Sequence, residues 1–279
     1  MNTADLPQTS HFDVATIMEG LYGDGIIHCK DAFDRAWVQR LGEDIATLFD
    51  EARRQPGGVL ERGPHRYYVE IHPERLRGFA DIVSHPWIVA VCEAVLGPGY
   101  KIVEAGFDVP EPGAMLQPWH RDFPAPPETV LGRRLNSLAF NITTVTITEE
   151  MGPLEIAPGT QWDEWHDGDP MFPPPRLWPR YEARRQRKMA SVGDVSARSA
   201  LTVHRGTANV SDTSRPVFVV GVDALDGRNA DKHDLQLTKA YHDSLPAGLR
   251  RHLACRVVDA LEPIEQAHTI EGLLMGQTG

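Results

Sequence analysis

Cysteine is scarce in this sequence. Only three cysteines occur in 279 residues, Cys29, Cys92 and Cys255, and no two of them have the C-x-x-C spacing of a zinc or redox site. The odd number and the wide spacing argue against a disulfide framework and are typical of proteins from a reducing compartment. We therefore expect a cytoplasmic protein.

Long hydrophobic runs and an excess of basic residues are also missing. No stretch approaches ~18 uninterrupted apolar residues, and the first residues lack the basic start and apolar centre of a signal peptide. The formal net charge is −11, from 39 acidic and 28 basic residues, and there is no sustained basic stripe. We therefore expect a small-molecule substrate and neither a membrane nor a nucleic-acid partner. No pattern in the sequence indicates the oligomeric state.

The sequence motifs of several large enzyme classes are absent. There is no G-x-S-x-G nucleophile elbow, no P-loop, no G-x-G-x-x-G at a junction between a strand and a helix, and no H-E-x-x-H zinc helix. Interpretations as a serine hydrolase, a kinase, a nucleotide-dependent dehydrogenase or a zinc peptidase therefore have no support in the sequence.

The length and composition are those of one domain with one large core, since 41% of the 279 residues are hydrophobic. Residues 1–98 are predicted to form a mostly helical flank, with a short strand at 25–29 before its long helix. Apolar residues spaced by four predict an amphipathic helix over 32–54, and a second helix is predicted over Pro86–Leu96, ending at Gly97. Residues 223–279 are expected to be an extension that packs on the core.

The pattern changes at about residue 100, where short β-like runs separated by glycine and proline begin. Such runs cover residues 101–107, 114–120 and 138–147. Several short strands with turns of this kind predict a barrel or a sandwich, here over residues 99–222.

A candidate metal site is encoded by His120, Asp122 and His204. In an extended segment, residues i and i+2 project from the same face, so the imidazole of His120 and the carboxylate of Asp122 lie side by side. His204 ends a short β-like run, 201–204, and supplies a second imidazole. Two histidines and one carboxylate on one side of an ion are typical of non-heme Fe(II) with open coordination positions.

Arg215 indicates what the open positions bind. It begins the run 215–220, which is predicted to be a strand next to the metal ligands. A guanidinium at that place can hold a carboxylate by two parallel hydrogen bonds, so a keto acid that chelates iron could be anchored at its other end. Gln117 is a further candidate for contact with the cofactor, and a strand residue facing solvent is the equal alternative.

The spacing of His204, Asn209, Ser211 and Arg215 resembles the H-x4-N-x-[ST]-x3-R signature of the phytanoyl-CoA dioxygenase-like family. The resemblance covers about residues 100–222 and includes the EMGPL run at 150–154, the PGTQ turn at 158–161 and the GD turn at 193–194. Met151, Thr160 and Gln161 depart from the family pattern at positions that shape a turn. Asn209 and Ser211 join the candidate cofactor-binding residues, although ordering of the loop is their more direct role.

The resemblance implies a fold and an activity. The fold would be mainly β with flanking helices, around a double-stranded β-helix core, also called a cupin-like jelly roll. The activity would be that of an Fe(II)/2-oxoglutarate-dependent dioxygenase, in which Arg215 binds the distal carboxylate of 2-oxoglutarate and dioxygen is consumed. Hydroxylation of a small metabolite, in natural-product or amino-acid metabolism, would release succinate and carbon dioxide. Related halogenases carry a small residue in place of Asp122, so hydroxylation, desaturation or epoxidation is expected instead.

Two other functions remain open at this point. The chain could be a catalytically silent jelly-roll protein that binds a ligand, or a cupin-like isomerase or hydrolase that uses another divalent metal. The substrate is not specified, although Arg66, Tyr67, Tyr68, Trp162 and Trp165 would suit a ring-bearing or anionic metabolite.

An irregular insert at residues 162–188 combines tryptophans, prolines and a basic cluster. Long loops of this kind often form lids. We consider two interpretations, a solvated helix end and a lid whose arginines, Arg184 and Arg185 among them, meet an anionic substrate. Acidic residues near Asp163 and Asp167 are a weaker second metal candidate, because they lack the EF-hand pattern.

Overall fold

The structure is a computed structural model that describes residues 12–266. The α-helices in this range are α1 (Val14–Gly23), α2 (Arg35–Arg53), α3 (Phe79–Val83), α4 (Pro86–Leu96), α5 (Pro127–Gly132), α6 (Trp178–Arg184), α7 (Lys239–Ser244) and α8 (Ala247–Arg250). The strands are β1 (Ile26–Cys29), β2 (Leu60–Glu61), β3 (Arg66–Glu70), β4 (Lys101–Pro110), β5 (Ser137–Thr143), β6 (Leu154–Ile156), β7 (Gln186–Lys188), β8 (Val195–Ser199), β9 (His204–Gly206), β10 (Val217–Asp223), β11 (Gln236–Thr238) and β12 (Arg256–Val258).

The larger sheet has seven strands in the order β1-β8-β5-β10-β4-β3-β2, and all of its neighbours are antiparallel. Successive residues of a strand point to opposite faces, so each strand divides its side chains between two environments. On one face Phe107, Phe140 and Phe218 are fully buried in the hydrophobic core. On the other face smaller residues, such as Ala139 and Val219, line an internal cavity.

The smaller sheet, β7-β6-β9, lies on the other side of that cavity. Leu154 of β6 and His204 and Gly206 of β9 line the cavity opposite the larger sheet. Two antiparallel sheets that enclose a ligand-sized space between flanking helices are the architecture of a jelly roll. The predicted fold class, mainly β with flanking helices, is therefore confirmed.

The two predicted helices are present, and local signals explain their ends. Helix α2 begins after Asp34, whose side chain accepts a hydrogen bond from the backbone N–H of Trp37, and it buries Leu41, Ile45 and Phe49 on one face. Helix α4 ends at Gly97, which has a positive φ of 84°. Both helices pack against the apolar face of the larger sheet and so close the core.

Some elements have other boundaries than the sequence predicts. Residues 1–98 contribute the strands β1, β2 and β3 to the larger sheet, so this flank is less purely helical than expected. Residues 114–120 form an irregular extended segment with only one isolated bridge, and β9 begins at His204 instead of 201. The run 138–147 ends as a strand at Thr143. Strand β10 begins two residues after Arg215.

The described residues after β10, 224–266, include contacts to the larger sheet. Strands β11 and β12 form a separate parallel pair. The backbone N–H of Ile102 in β4 donates to the carbonyl of His252 at 2.7 Å, and Ala254 donates back to Ile102 at 3.0 Å. Residues 267–279 of the expected extension lie outside the described range. Within residues 12–266 no helix combines the length and the apolar character needed to cross a bilayer.

We predict that Phe218→Ala lowers the free energy of unfolding by about 3–5 kcal/mol, because it opens a cavity in a fully buried part of the core. Urea denaturation followed by circular dichroism measures this change. The control is Leu131→Ala, which alters a side chain with 85% exposure and should change the stability by less than about 0.5 kcal/mol. Similar losses in the two variants would contradict the assigned packing.

Candidate metal centre

The residues predicted to bind metal come together through a short backbone pairing between the irregular segment 114–120 and strand β9. The N–H of His120 donates to the carbonyl of His204 at 3.0 Å, and the N–H of His204 donates to the carbonyl of His120 at 2.9 Å. The N–H of Asp122 donates to the carbonyl of Ala200 at 3.0 Å. One ligand atom from each of His120, Asp122 and His204 lies within 4.8 Å of the others. Within residues 12–266, this is the one group of at least three such residues with this spacing.

The backbone also orients both imidazole rings. Nδ1 of His120 lies 2.9 Å from the carbonyl oxygen of Pro118, and Nδ1 of His204 lies 2.9 Å from that of Thr202. In each ring Nδ1–H therefore donates to a carbonyl two residues earlier, which leaves the Nε2 lone pair for a metal. Burial lowers the pKa of His120 to about 4 and that of His204 well below its usual value. Both rings are thus neutral at neutral pH, as ligation requires.

Asp122 is held by Arg198, a residue that the sequence analysis missed. Nη2 of Arg198 donates to Oδ2 of Asp122 at 2.9 Å, whereas Oδ1 lies 3.4 Å from Nε2 of His204. Burial opposes ionisation of this carboxyl, but the charge and hydrogen bond of Arg198, together with the two histidines, which become positive only in acid, outweigh burial and lower the pKa of Asp122 to about 2. Because one oxygen is already occupied, Asp122 presents the other to a metal. A charged residue among the otherwise small, uncharged residues of β8 was the signal that could have identified Arg198.

Arg215 offers a buried, partly unsatisfied guanidinium to the same cavity. Its Nε donates to the carbonyl of Met151 at 3.2 Å, and its two terminal nitrogens have no hydrogen-bond partner among residues 12–266. Burial, and then the charge of Arg66, lower its pKa to about 10, so the side chain stays charged at neutral pH. A charged fork with free donors is suited to a carboxylate.

One cavity of about 170 Å³ connects the three candidate ligands to Arg215. Ala139, Val217 and Val219 of the larger sheet also line this cavity, and their small side chains leave space within it. A short dicarboxylate with one end at the metal ligands and the other at the arginine would lie along this wall. The two imidazoles and the carboxylate therefore fit Fe(II), and the free N–H groups of Arg215 fit the distal carboxylate of 2-oxoglutarate.

The other candidate cofactor residues have different surroundings. Gln117 lines the cavity, and its Oε1 accepts the backbone N–H of Gly206 at 2.8 Å. Asn209 and Ser211 do not line the cavity. The amide of Asn209 donates to the carbonyls of Pro110 and Thr213, and its Oδ1 accepts from both the N–H and the hydroxyl of Ser211. These contacts order the turn before Arg215, which is the structural role that the sequence favoured.

The insert at 162–188 packs behind the segment that carries the metal ligands. Trp119, which points away from the cavity, packs with Trp165 and Tyr181 of the insert, and the guanidinium of Arg121 lies 3.5 Å from the ring centroid of Trp165. Because side chains alternate in direction along residues 119–122, His120 and Asp122 line the cavity, whereas Trp119 and Arg121 contact the insert.

Several arginines of the insert pair with nearby carboxylates. Arg176 pairs with Asp167 at 2.5 Å and Arg180 with Asp163 at 3.0 Å. Arg185 pairs with Glu182 at 2.9 Å. These contacts explain why the acidic residues of the insert do not assemble as a metal cluster, and they give the arginines a structural role.

Comparisons with known proteins agree with this geometry. Residues 21–217 match the model of the family described as phytanoyl-CoA dioxygenase (PhyH). Among solved structures, the chain is similar to the non-heme alpha-ketoglutarate-dependent carbocyclase SnoK from nogalamycin biosynthesis, with a TM-score of 0.62 and 20% sequence identity. That similarity covers 79% of this chain and 87% of the other, and at this identity it establishes the fold alone. A search of curated proteins gives no significant match.

We predict that Arg198→Leu weakens Fe(II) binding by about 10- to 100-fold, because it frees Asp122 and removes the charge that keeps the carboxylate ionised. Anaerobic titration of the metal-free protein with Fe(II), followed by calorimetry, measures the affinity. Arg54→Leu is the control, since the side chain of Arg54 has 75% exposure and does not line the cavity. Unchanged affinity in Arg198→Leu would contradict this role.

Proposed function

Because the chain belongs to the phytanoyl-CoA dioxygenase family, we propose that it is an Fe(II)/2-oxoglutarate-dependent oxygenase that hydroxylates an unactivated C–H bond of a small metabolite. One observation carries this proposal. The cavity that holds the cluster of His120, Asp122 and His204 is also lined by Arg215, whose terminal N–H groups are free. We expect the substrate to come from natural-product or amino-acid metabolism.

In this proposal the protein binds the metal from one side. Nε2 of His120, Nε2 of His204 and Oδ1 of Asp122 are the available donor atoms, since hydrogen bonds occupy the other ring nitrogens and Oδ2. Three protein ligands leave about three positions of an octahedral ion open. Arg198 holds the carboxylate in its one-oxygen orientation and so keeps those positions free.

Arg215 orients the co-substrate. Its fork binds the distal carboxylate of 2-oxoglutarate, and the keto-acid end then faces the metal ligands across the cavity. When Fe(II) and 2-oxoglutarate are bound there, they supply the oxidation of a C–H bond by dioxygen, with release of succinate and carbon dioxide.

Asp122 also bears on the type of reaction. Asp122 occupies the position at which related halogenases have a small residue, which favours hydroxylation over halogenation. Desaturation and epoxidation would use the same protein ligands. SnoK is described as a carbocyclase, so a ring closure also belongs among the products that mass spectrometry has to distinguish.

Two alternatives make different experimental predictions. A catalytically silent ligand-binding protein would bind a small molecule in the cavity without consuming 2-oxoglutarate. A cupin-like isomerase or hydrolase would need a divalent metal but neither dioxygen nor 2-oxoglutarate. The free N–H groups of Arg215, in the same cavity as the metal ligands, support the oxygenase, because neither alternative requires a site for the distal carboxylate of a co-substrate.

We predict that the metal-free protein, given Fe(II) and 2-oxoglutarate anaerobically, develops the visible charge-transfer band of a chelated keto acid. The band should weaken in Arg215→Ala, which loses the anchor, and in His204→Ala, which loses a ligand. Arg54→Ala serves as the matched surface control. A folded wild-type protein without the band would favour the ligand-binding or other-metal alternatives.

We also predict that Asp122→Gly abolishes hydroxylation, with a loss of more than about 100-fold, since even changes to residues around metal ligands cost 10- to 100-fold. Succinate release identifies an accepted substrate, and mass spectrometry then measures the hydroxylated product. Full activity in Asp122→Gly would refute the assignment of Asp122 as a ligand.

A further inference from the structure

The arginines of the cavity are mostly accounted for, with one exception. Four arginines line the described cavity: Arg62, Arg66, Arg198 and Arg215. Arg198 pairs with Asp122, and Arg66 pairs with Asp108 at 3.3 Å. Arg215 has the free donors assigned above to the co-substrate. Arg62 has neither a carboxylate partner nor a side-chain hydrogen bond among residues 12–266.

The backbone and a neighbouring ring fix the position of Arg62. Its N–H donates to the carbonyl of Arg66 at 2.8 Å and closes the turn between β2 and β3, where Gly63 has a positive φ of 93°. The guanidinium carbon lies 3.9 Å from the ring centroid of Tyr68, which is itself buried. The hydroxyl of Tyr68 donates to Glu104 and so anchors the ring. Arg62 is therefore held over the ring face of Tyr68 at the cavity wall.

This position does not satisfy the hydrogen-bonding capacity of Arg62. Its Nε is shielded from solvent and has no partner. The ring face of Tyr68 stabilises the cation, but it does not accept hydrogen bonds from the N–H groups, which lie in the plane of the guanidinium. A buried guanidinium donor without an acceptor is unfavourable, so the arrangement is suited to an oxyanion supplied by a ligand.

The co-substrate does not provide that oxyanion. 2-Oxoglutarate has two carboxylates, of which one belongs to the metal chelate and the other to Arg215. We propose that Arg62, supported by Tyr68 and Glu104, binds an anionic group, a carboxylate or a phosphate, of the substrate that is oxidised. This inference rests on the proposed function and specifies the substrate class of the same cavity.

Matched probes test this inference on the anaerobic protein loaded with Fe(II) and 2-oxoglutarate. Calorimetry compares benzoate with benzamide and hexanoate with hexanamide, and compares phenyl phosphate with phenol. We expect at least one anion to bind about tenfold or more tightly than its neutral partner, because hydrogen bonds to charged groups are the stronger ones. A preference confined to the carboxylates or to the phosphate identifies which oxyanion the site takes.

Two variants determine whether Arg62 causes the preference. Arg62→Gln should reduce the preference to less than about threefold, while Lys232→Gln, which removes another cation of the cavity wall, should leave it unchanged. Loss of the preference in Lys232→Gln alone would overturn the inference. So would the absence of any preference in the wild type.

The charge-transfer band separates this inference from the proposed function. Arg62→Gln should keep the band of the wild type at the same 2-oxoglutarate concentration, which also shows that the variant is folded. A band that weakens in Arg62→Gln would mean that Arg62 serves the co-substrate, and the inference would be wrong. A wild type without the band would instead contradict the proposed function itself.

Discussion

Two backbone hydrogen bonds between His120 and His204 are the constraint on which the candidate centre depends. They join an irregular segment to the first residue of β9 and bring the ring centroids of two histidines within 4.3 Å of each other, although the residues are far apart in sequence. Each ring is then turned by a carbonyl two residues earlier, so the backbone alone sets both the distance and the available nitrogen. Asp122 follows by alternation along the same segment.

The cavity is electrostatically unlike the rest of the chain. The protein carries a net charge of −11, yet four arginines line the cavity around the candidate ligands. Each has a distinct neighbour: Arg66 has Asp108, Arg198 has Asp122, Arg62 has the face of Tyr68, and Arg215 has a backbone carbonyl. The first two arginines are neutralised within the protein. The other two retain donors for anions, which matches a reaction with one dicarboxylate co-substrate and one anionic substrate.

Features encoded locally could be predicted from the sequence, and the family signature brought the distant His204 and Arg215 to the site, whereas most other contacts between distant residues could not be predicted. The amphipathic spacing of α2 and the glycine after α4 fix those helices, and the short spacing of His120 and Asp122 places them together. Strand β3 was not predicted because Arg66 and Glu70 are charged. Only the folded sheet shows that both side chains are buried, with Arg66 in the wall of the polar cavity. Arg198 and Arg62 were missed for a related reason, because their partners, Asp122 and Tyr68, can be identified only once the sheets have formed.

The most direct test of the account is a crystal structure of the protein with Fe(II) and 2-oxoglutarate, prepared anaerobically. The account predicts one metal ion bound by Nε2 of His120, Nε2 of His204 and a single oxygen of Asp122, with the distal carboxylate of 2-oxoglutarate on Arg215. A metal ion bound elsewhere, or a co-substrate whose distal carboxylate does not contact Arg215, would contradict it.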